Sequence, residues 1–172
     1  MAISLHDISV GQYVQTLGAV EGFLARGLAH CGDTGVDPET LLAARLVPDM
    51  LPLAFQCASV AHHSLGAIEG VRAGQFGPPT GAPATYAEAQ ALITETIAAL
   101  KAISPEEVEG LADNDVVFSV GSLKLPFTGE RFLTSFSLPN FYFHAATAYD
   151  ILRANGVPLG KRDFMGALKL KM

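Results

Sequence analysis

Apolar residues recur every three or four positions in four long segments of the chain, the spacing that places them on one face of an α-helix. The first segment runs from Ser4, a suitable N-cap, to Ala29, with Gly32 beyond its end. The second begins near an Asp49 cap and continues to about Gly70. Both are predicted to be helices with one buried face.

The third and fourth helices carry clear start and stop signals. Thr85 and Glu88 have the spacing of a capping box, in which each residue bonds the backbone of the other. The last long helix is predicted to start after Thr128 and to end at Asn155 and Gly156, because glycine after the final turn favours termination. It contains the densest run of aromatic residues in the chain.

Proline lies within the predicted last helix and indicates an irregularity there. Pro139 lacks a backbone donor, and its ring displaces the carbonyl four residues earlier, that of Ser135. We therefore expect a kink next to Asn140 and His144, which are one turn apart and project from the same side.

Two segments interrupt the helical pattern. Residues 70–85 are rich in Gly and Pro, which predicts a surface loop, and its length suggests a lid over one end of the protein. Residues 116–127 alternate around Gly121 and Ser122, the pattern of a small β-hairpin. The predicted fold is all-α: one domain, residues 1–172, forming a four-helix bundle with a long crossover loop and a hairpin before the last helix.

Composition limits the classes of function. The 172 residues are 49% apolar, but no run of about 18 apolar residues is present. No signal-peptide pattern occurs, so we expect a cytoplasmic protein that does not enter a membrane. The net charge of −6 disfavours nucleic-acid binding. Cys31 and Cys57 are expected to be buried free thiols.

Candidate chemistry is limited to polar residues on two helices. Gln56 and His63 lie on a strip of small and polar residues along the second helix, while Asn140 and His144 lie on one side of the last. A pocket between these helices is the expected place for a ligand. No nucleophile with a base at a recognisable spacing and no phosphate-binding glycine loop is present.

Two segments also resemble a known family. Residues 45–53, and residues 138–144 continuing through 160–164, are similar to a bacterial domain-of-unknown-function family. That family is similar in turn to the DinB/YfiT-like four-helix superfamily of metalloenzyme-like proteins. The resemblance covers essentially the whole chain and implies the same helical bundle.

The superfamily implies a metal site of three histidines, which this chain alters. The matching positions hold Gln56, Asn140 and His144, so amides replace two imidazoles. Amides are weaker ligands for zinc or nickel than histidine, and no cofactor is therefore favoured. His62 and His63 follow on the second helix and would serve only a displaced site.

Three hypotheses remain open. In the first, Gln56, His63, Asn140 and His144 bind a small polar ligand without a full metal triad. In the second, the protein is a metal-dependent enzyme, a thiol transferase or hydrolase, that uses His144 with His62 or His63. In the third, these residues form a buried polar cluster in a structural bundle. Apolar character on several helix faces further predicts a homodimer.

Overall fold

The structure is a computed structural model that describes residues 3–171. It is mostly helical, with a small three-stranded sheet, so the expectation of an all-α chain with only a hairpin is wrong in that detail. Two π-helical segments, here π1 and π2, are continuous with α-helices. The elements are α1 (Leu5–Ile8), α2 (Val10–Thr34), α3 (Pro38–Leu42), α4 (Leu53–Ala61), π1 (His62–Gly66), α5 (Ala67–Ala73), β1 (Gln75–Phe76), α6 (Tyr86–Lys101), α7 (Pro105–Glu109), β2 (Asp115–Val120), β3 (Leu123–Thr128), α8 (Gly129–Arg131), π2 (Phe132–Ser137), α9 (Leu138–Ala154) and α10 (Lys161–Met165).

Helix capping agrees with the sequence at the third long helix, where Thr85 and Glu88 form the reciprocal capping box. The Ser4 side chain accepts the backbone N–H of Asp7 and so caps α1, but Ser9 separates this single turn from α2, and the one helix predicted from Ser4 is divided in two. Two predicted boundaries are shifted. α2 continues past Gly32 to Gly35, whose left-handed φ of 74° ends it, and α4 begins after Pro52 rather than at Asp49.

Four long helical stretches pack around a common core. α2 contacts α6, α6 contacts α4, α4 contacts α9, and α9 contacts α2, so the contacts form a closed ring. In this order α2 and α4 lie on opposite sides, as do α6 and α9. Residues 70–85 join the neighbouring stretches α4 and α6, whereas the connections from α2 to α4 and from α6 to α9 each cross to the opposite side of the ring. Within residues 3–171, no helix is long and apolar enough to span a membrane.

The sheet connects the start of the glycine-rich loop, residues 70–85, to the β-hairpin. β2 and β3 form the predicted antiparallel hairpin, whose turn begins at Gly121 with a φ of 56°. β1, from the start of the loop, pairs parallel with β2 and places Phe76 beside Phe118. A side chain at Gly70 would approach Phe76 to 2.7 Å, so glycine is needed for this strand to reach the helix.

The two π segments are joined by a buried chain of hydrogen bonds. The Ser137 hydroxyl, at the end of π2, donates to the His63 carbonyl of π1 at 2.5 Å. Because its single proton is used there, Ser137 accepts the hydroxyl of Tyr13 at 2.7 Å. π-Helical turns often occur at functional sites, and here both lie beside His63.

The irregularity expected near Pro139 takes the form of π2, which ends two residues before that proline. The Asn140 side-chain amide donates to the Phe136 carbonyl of this segment at 2.7 Å. Asn140 thus contributes a donor to its own helix at the place where the regular α-helical pattern is broken.

Loss of the Ser137 hydroxyl should destabilise the fold. Ser137→Ala leaves the Tyr13 hydroxyl and the His63 carbonyl buried without this partner, so we expect a loss of about 1–3 kcal/mol in the free energy of unfolding. Urea denaturation followed by circular dichroism would measure it.

Ser135→Ala is the matched control, since Ser135 is exposed in the same π segment and bonds only the Arg131 carbonyl. It should change stability by less than about 0.5 kcal/mol. Equal losses in the two variants would show that the bond between the π segments contributes nothing specific.

Candidate functional site

Gln56 and His144 meet where α4 packs against α9. The Gln56 side chain is only 2% exposed, and its Nε2 donates to the Leu51 carbonyl at 2.9 Å. Its Oε1 lies 2.8 Å from Nδ1 of His144. Both ends of the Gln56 amide are therefore engaged, and its orientation is fixed by the backbone at the start of α4.

This contact determines which nitrogen of His144 carries the proton. A glutamine oxygen only accepts, so Nδ1 of His144 must donate to it. In the neutral ring Nε2 then has a free lone pair and acts as an acceptor. His144 is thus held in one tautomer, with its basic nitrogen turned away from Gln56.

His63 lies against His144 and is more deeply buried. The two rings are nearly parallel, with centroids 5.7 Å apart and an angle of 15° between their planes. Phe76 and Phe136 pack on His63 at 5.5 and 6.0 Å. Its Nδ1 is buried and has no hydrogen-bond partner within residues 3–171. A buried nitrogen of this kind is uncommon and identifies the place where a further polar group would be stabilised.

Both imidazoles are neutral at pH 7. Burial lowers the pKa of His144 to about 4. Burial, with added repulsion from His144 and His62, lowers the pKa of His63 to about 3. Desolvation disfavours the charged form of each ring, and a proton on one would be repelled by a proton on the next. Near neutral pH the pair offers lone pairs rather than positive charge.

Apolar side chains surround the exposed edge of His144. Phe55 and Phe143 pack edge-on to its ring, with centroids 6.0 and 5.3 Å away. Phe143 is 59% exposed, and Leu51, whose carbonyl holds Gln56, is 49% exposed. The polar pair consequently has an apolar rim that is open to solvent.

Two of the predicted site residues are oriented elsewhere. Asn140 shares no hydrogen bond with Gln56 or His144 among the described residues, because its amide nitrogen donates to Phe136. The Nε2 of His62 lies 2.6 Å from the Gly77 carbonyl, and its ring stacks on Phe76 at 4.3 Å. His62 therefore holds the loop after β1, and burial lowers its pKa.

The residues at the superfamily positions do not fit a zinc or nickel centre. The Gln56 oxygen accepts from His144, the Asn140 nitrogen donates within its own helix, and His144 alone supplies an imidazole. Within residues 3–171, no group of three His, Cys, Asp or Glu side chains converges as a metal would require. Two amides and one imidazole also provide poor donors and no negative charge for a divalent cation.

Well-defined cavities lie elsewhere on the protein. A groove of about 650 Å³ runs between α2, the end of α6 and residues 166–169. A smaller cavity of about 290 Å³ lies between His62 and residues 79–81. Neither of these openings is lined by Gln56 or His144, the residues of the pocket predicted between the second and last long helices.

Sequence reasoning missed the aromatic and backbone parts of the site. Phe55 precedes Gln56 directly and Phe143 precedes His144, which is a signal that the polar pair has aromatic neighbours on both helices. The role of the Leu51 carbonyl had no such signal, because any residue supplies one. The role of Ser137 could not be predicted either, since its hydrogen-bond partners, Tyr13 and His63, are far away in the sequence.

The fold is mostly helical and similar to that of a DinB family member. The chain belongs to the family described as a domain of unknown function (DUF1993), which matches residues 5–165 and confirms the resemblance. A crystal structure of a DinB family member protein from Shewanella denitrificans is similar, with 28% sequence identity and a TM-score of 0.80. The match covers 98% of this chain and 95% of that one. No curated protein matches the chain.

Acid should destabilise the protein through these two histidines. In the unfolded chain each titrates near pH 6.5, whereas in the fold their pKa values are about 3 and 4. Between these limits the unfolded state binds more protons, so stability is full above about pH 6.5 and falls as the pH drops. A ring that stays neutral in the fold contributes a loss of about 2 kcal/mol between pH 7 and pH 5, and His144 contributes less than His63 because it is partly exposed. We therefore expect a loss of roughly 3 kcal/mol from the pair.

Chemical denaturation across this pH range would measure the slope. His63→Phe keeps a ring among Phe76 and Phe136 but does not titrate, so its stability should depend less on pH than that of the natural protein. An undiminished slope in His63→Phe would contradict the assignment to this pair.

Proposed function

We propose that this DinB-like helical-bundle protein binds a small polar ligand between its second and last long helices, without a full metal triad. The observation that carries the proposal is the fixed Gln56–His144 bond, which leaves Nε2 of His144 as a free acceptor beside an apolar rim. Specificity in ligand sites commonly comes from a few fixed polar groups among apolar walls.

The chemistry of the cluster selects the class of ligand. Neutral His144 accepts a hydrogen bond, so the complementary group is a hydroxyl, thiol, amide N–H or ammonium. Phe55, Phe143 and Leu51 would pack on an apolar body attached to that donor. The buried Nδ1 of His63 supports a polar ligand as well, because it has no hydrogen-bond partner among the described residues.

Benzyl alcohol, benzylamine and toluene form a suitable set of probes, since they share a ring and differ in the donor. Titrations followed by NMR of the His144 ring nitrogens and the Gln56 amide should show saturable binding of the first two and weaker binding of toluene. Before ligand is added, Nδ1 of His144 should have the shift of a protonated nitrogen and Nε2 that of an unprotonated one.

Matched variants make the experiment specific. Gln56→Ala and His144→Phe should weaken binding of benzyl alcohol about tenfold or more, because the first removes the group that fixes the tautomer of His144 and the second removes the acceptor itself. Asp150→Ala, an exposed change on α9, is the control. Equal binding of toluene and benzyl alcohol would refute the proposal. If Asn140→Ala loses as much affinity for benzyl alcohol as Gln56→Ala does, Asn140 also belongs to the site.

The metal-dependent enzyme is the second candidate. What favours it is a row of three imidazoles, in which the His62 and His63 centroids are 5.5 Å apart and those of His63 and His144 are 5.7 Å apart. Against it, His62 is bonded to Gly77 and Gln56 occupies Nδ1 of His144.

Metal analysis separates these two functions. We expect purified protein to contain clearly less than one zinc or nickel per chain after dialysis, because the donors are poor and mostly engaged. Elemental analysis by mass spectrometry would measure this. Stoichiometric metal that is lost in His144→Ala would support the enzyme instead, with His63 and then His62 as the next residues to replace.

Self-association is part of the same proposal. The exposed apolar residues around α4 and α9 would be covered in a homodimer, and the site would then lie close to its interface. They are Leu46, Val47, Leu51 and Phe143. Sedimentation that gives only an 18 kDa species at micromolar concentration would exclude the dimer and leave the ligand proposal in place.

A further inference from the structure

The groove between α2, α6 and the C-terminal segment is held open by specific contacts. The Gln15 side chain donates to the Met165 carbonyl at 2.9 Å and fixes the start of the segment. Gly166 follows with a φ of 63°, and a side chain there would lie 2.8 Å from the Gln15 carbonyl. Only glycine fits this approach without strain. The segment therefore forms a defined wall.

The interior of the groove is mainly apolar. Val10, Val14 and Leu100 line it from two helices, and Leu168 lines it from the C-terminal segment. Gly18 also lines it, and a side chain added there would meet nothing within 4 Å. The volume of about 650 Å³ is within the range of small-molecule sites.

The charged residues of the groove are all potential cations. Lys101 and Lys169 line it together with His6, and no carboxylate does so, although the protein has a net charge of −6. Glu109 lies nearby, but its carboxylate accepts the backbone N–H of His6 at 3.0 Å and is not part of the lining. Within residues 3–171 neither lysine has a carboxylate partner, since the ion pairs there are Arg26–Asp163 and Arg72–Glu107.

We propose that this groove binds an amphipathic carboxylate, such as a medium-chain fatty acid. The alkyl chain would pack on Val10, Val14 and Leu100, and the carboxylate would lie between Lys101 and Lys169. Burial of each methylene favours binding, and the lysines select an anionic head group. This site uses elements different from those of the His144 cluster, so the two proposals stand or fall separately.

Titration calorimetry with decanoate tests the proposal, with acetate and decyltrimethylammonium as comparison ligands. Acetate has the head group alone, and decyltrimethylammonium has the same chain with the opposite charge. Decanoate should bind at least about tenfold more tightly than either. Equal binding of decanoate and decyltrimethylammonium would overturn the proposal, because the lysines would then contribute no selectivity.

Two pairs of variants locate the site. Gly18→Leu fills the groove and should weaken decanoate binding about tenfold or more, while Gly22→Leu, also exposed and unobstructed on α2, should not. Leucine favours helix over glycine, so both variants should fold. Lys169→Glu should weaken binding, and Lys161→Glu, on α10 outside the groove, should leave it nearly unchanged.

Equal losses of decanoate affinity in the two members of either pair of variants would overturn the proposal. So would the absence of decanoate binding together with a dimer that Gly18→Leu dissociates. That result would assign the groove to a second copy of the chain.

Discussion

The Ser137 hydroxyl is the contact on which the arrangement of the candidate site depends. It joins the two π-helical segments by donating to the His63 carbonyl while accepting from Tyr13 of α2, so three of the four long helical stretches meet at one buried oxygen. The bond fixes the backbone of His63 relative to the helix that carries His144. A π turn displaces neighbouring carbonyls from the α-helical ladder, which lets one of them accept a bond from another helix.

The cluster remains neutral because of the same packing. His63 packs against Phe76, Phe136 and His144, so a charge on its ring would be poorly solvated. Gln56 then sets the tautomer of His144 without adding charge, since its own orientation is fixed by the Leu51 carbonyl. The fold thus produces a hydrogen-bond acceptor of fixed direction and prevents its conversion to a cation near neutral pH. A metal triad would also need neutral imidazoles, but it would require three lone pairs that converge on one point, and Gln56 and Asn140 are engaged in other hydrogen bonds.

Local features could be predicted from the sequence, whereas features formed by distant residues could not. The Thr85–Glu88 box, the Gly121 turn and the stop at Gly156 each depend on a few adjacent residues, and the structure contains all three. The pairing of Gln56 with His144 was accessible only because the resemblance aligned both positions. Three features arise from contacts between segments far apart in the sequence: β1, the placement of α2 opposite α4 and of α6 opposite α9, and the C-terminal groove. The spacing of apolar residues along the chain carries no information about such contacts.

Asn140 contributes to the backbone of its own helix. The resemblance to the DinB/YfiT-like superfamily implies a histidine ligand at this position, whereas the Asn140 side-chain amide donates to the Phe136 carbonyl in π2. Pro139 lacks the backbone N–H that would serve the Ser135 carbonyl, so the main-chain hydrogen bonding of this turn is incomplete. The side-chain donor of Asn140 adds a hydrogen bond to the next carbonyl along the chain, that of Phe136. Asn140 therefore stabilises the irregular backbone that precedes His144.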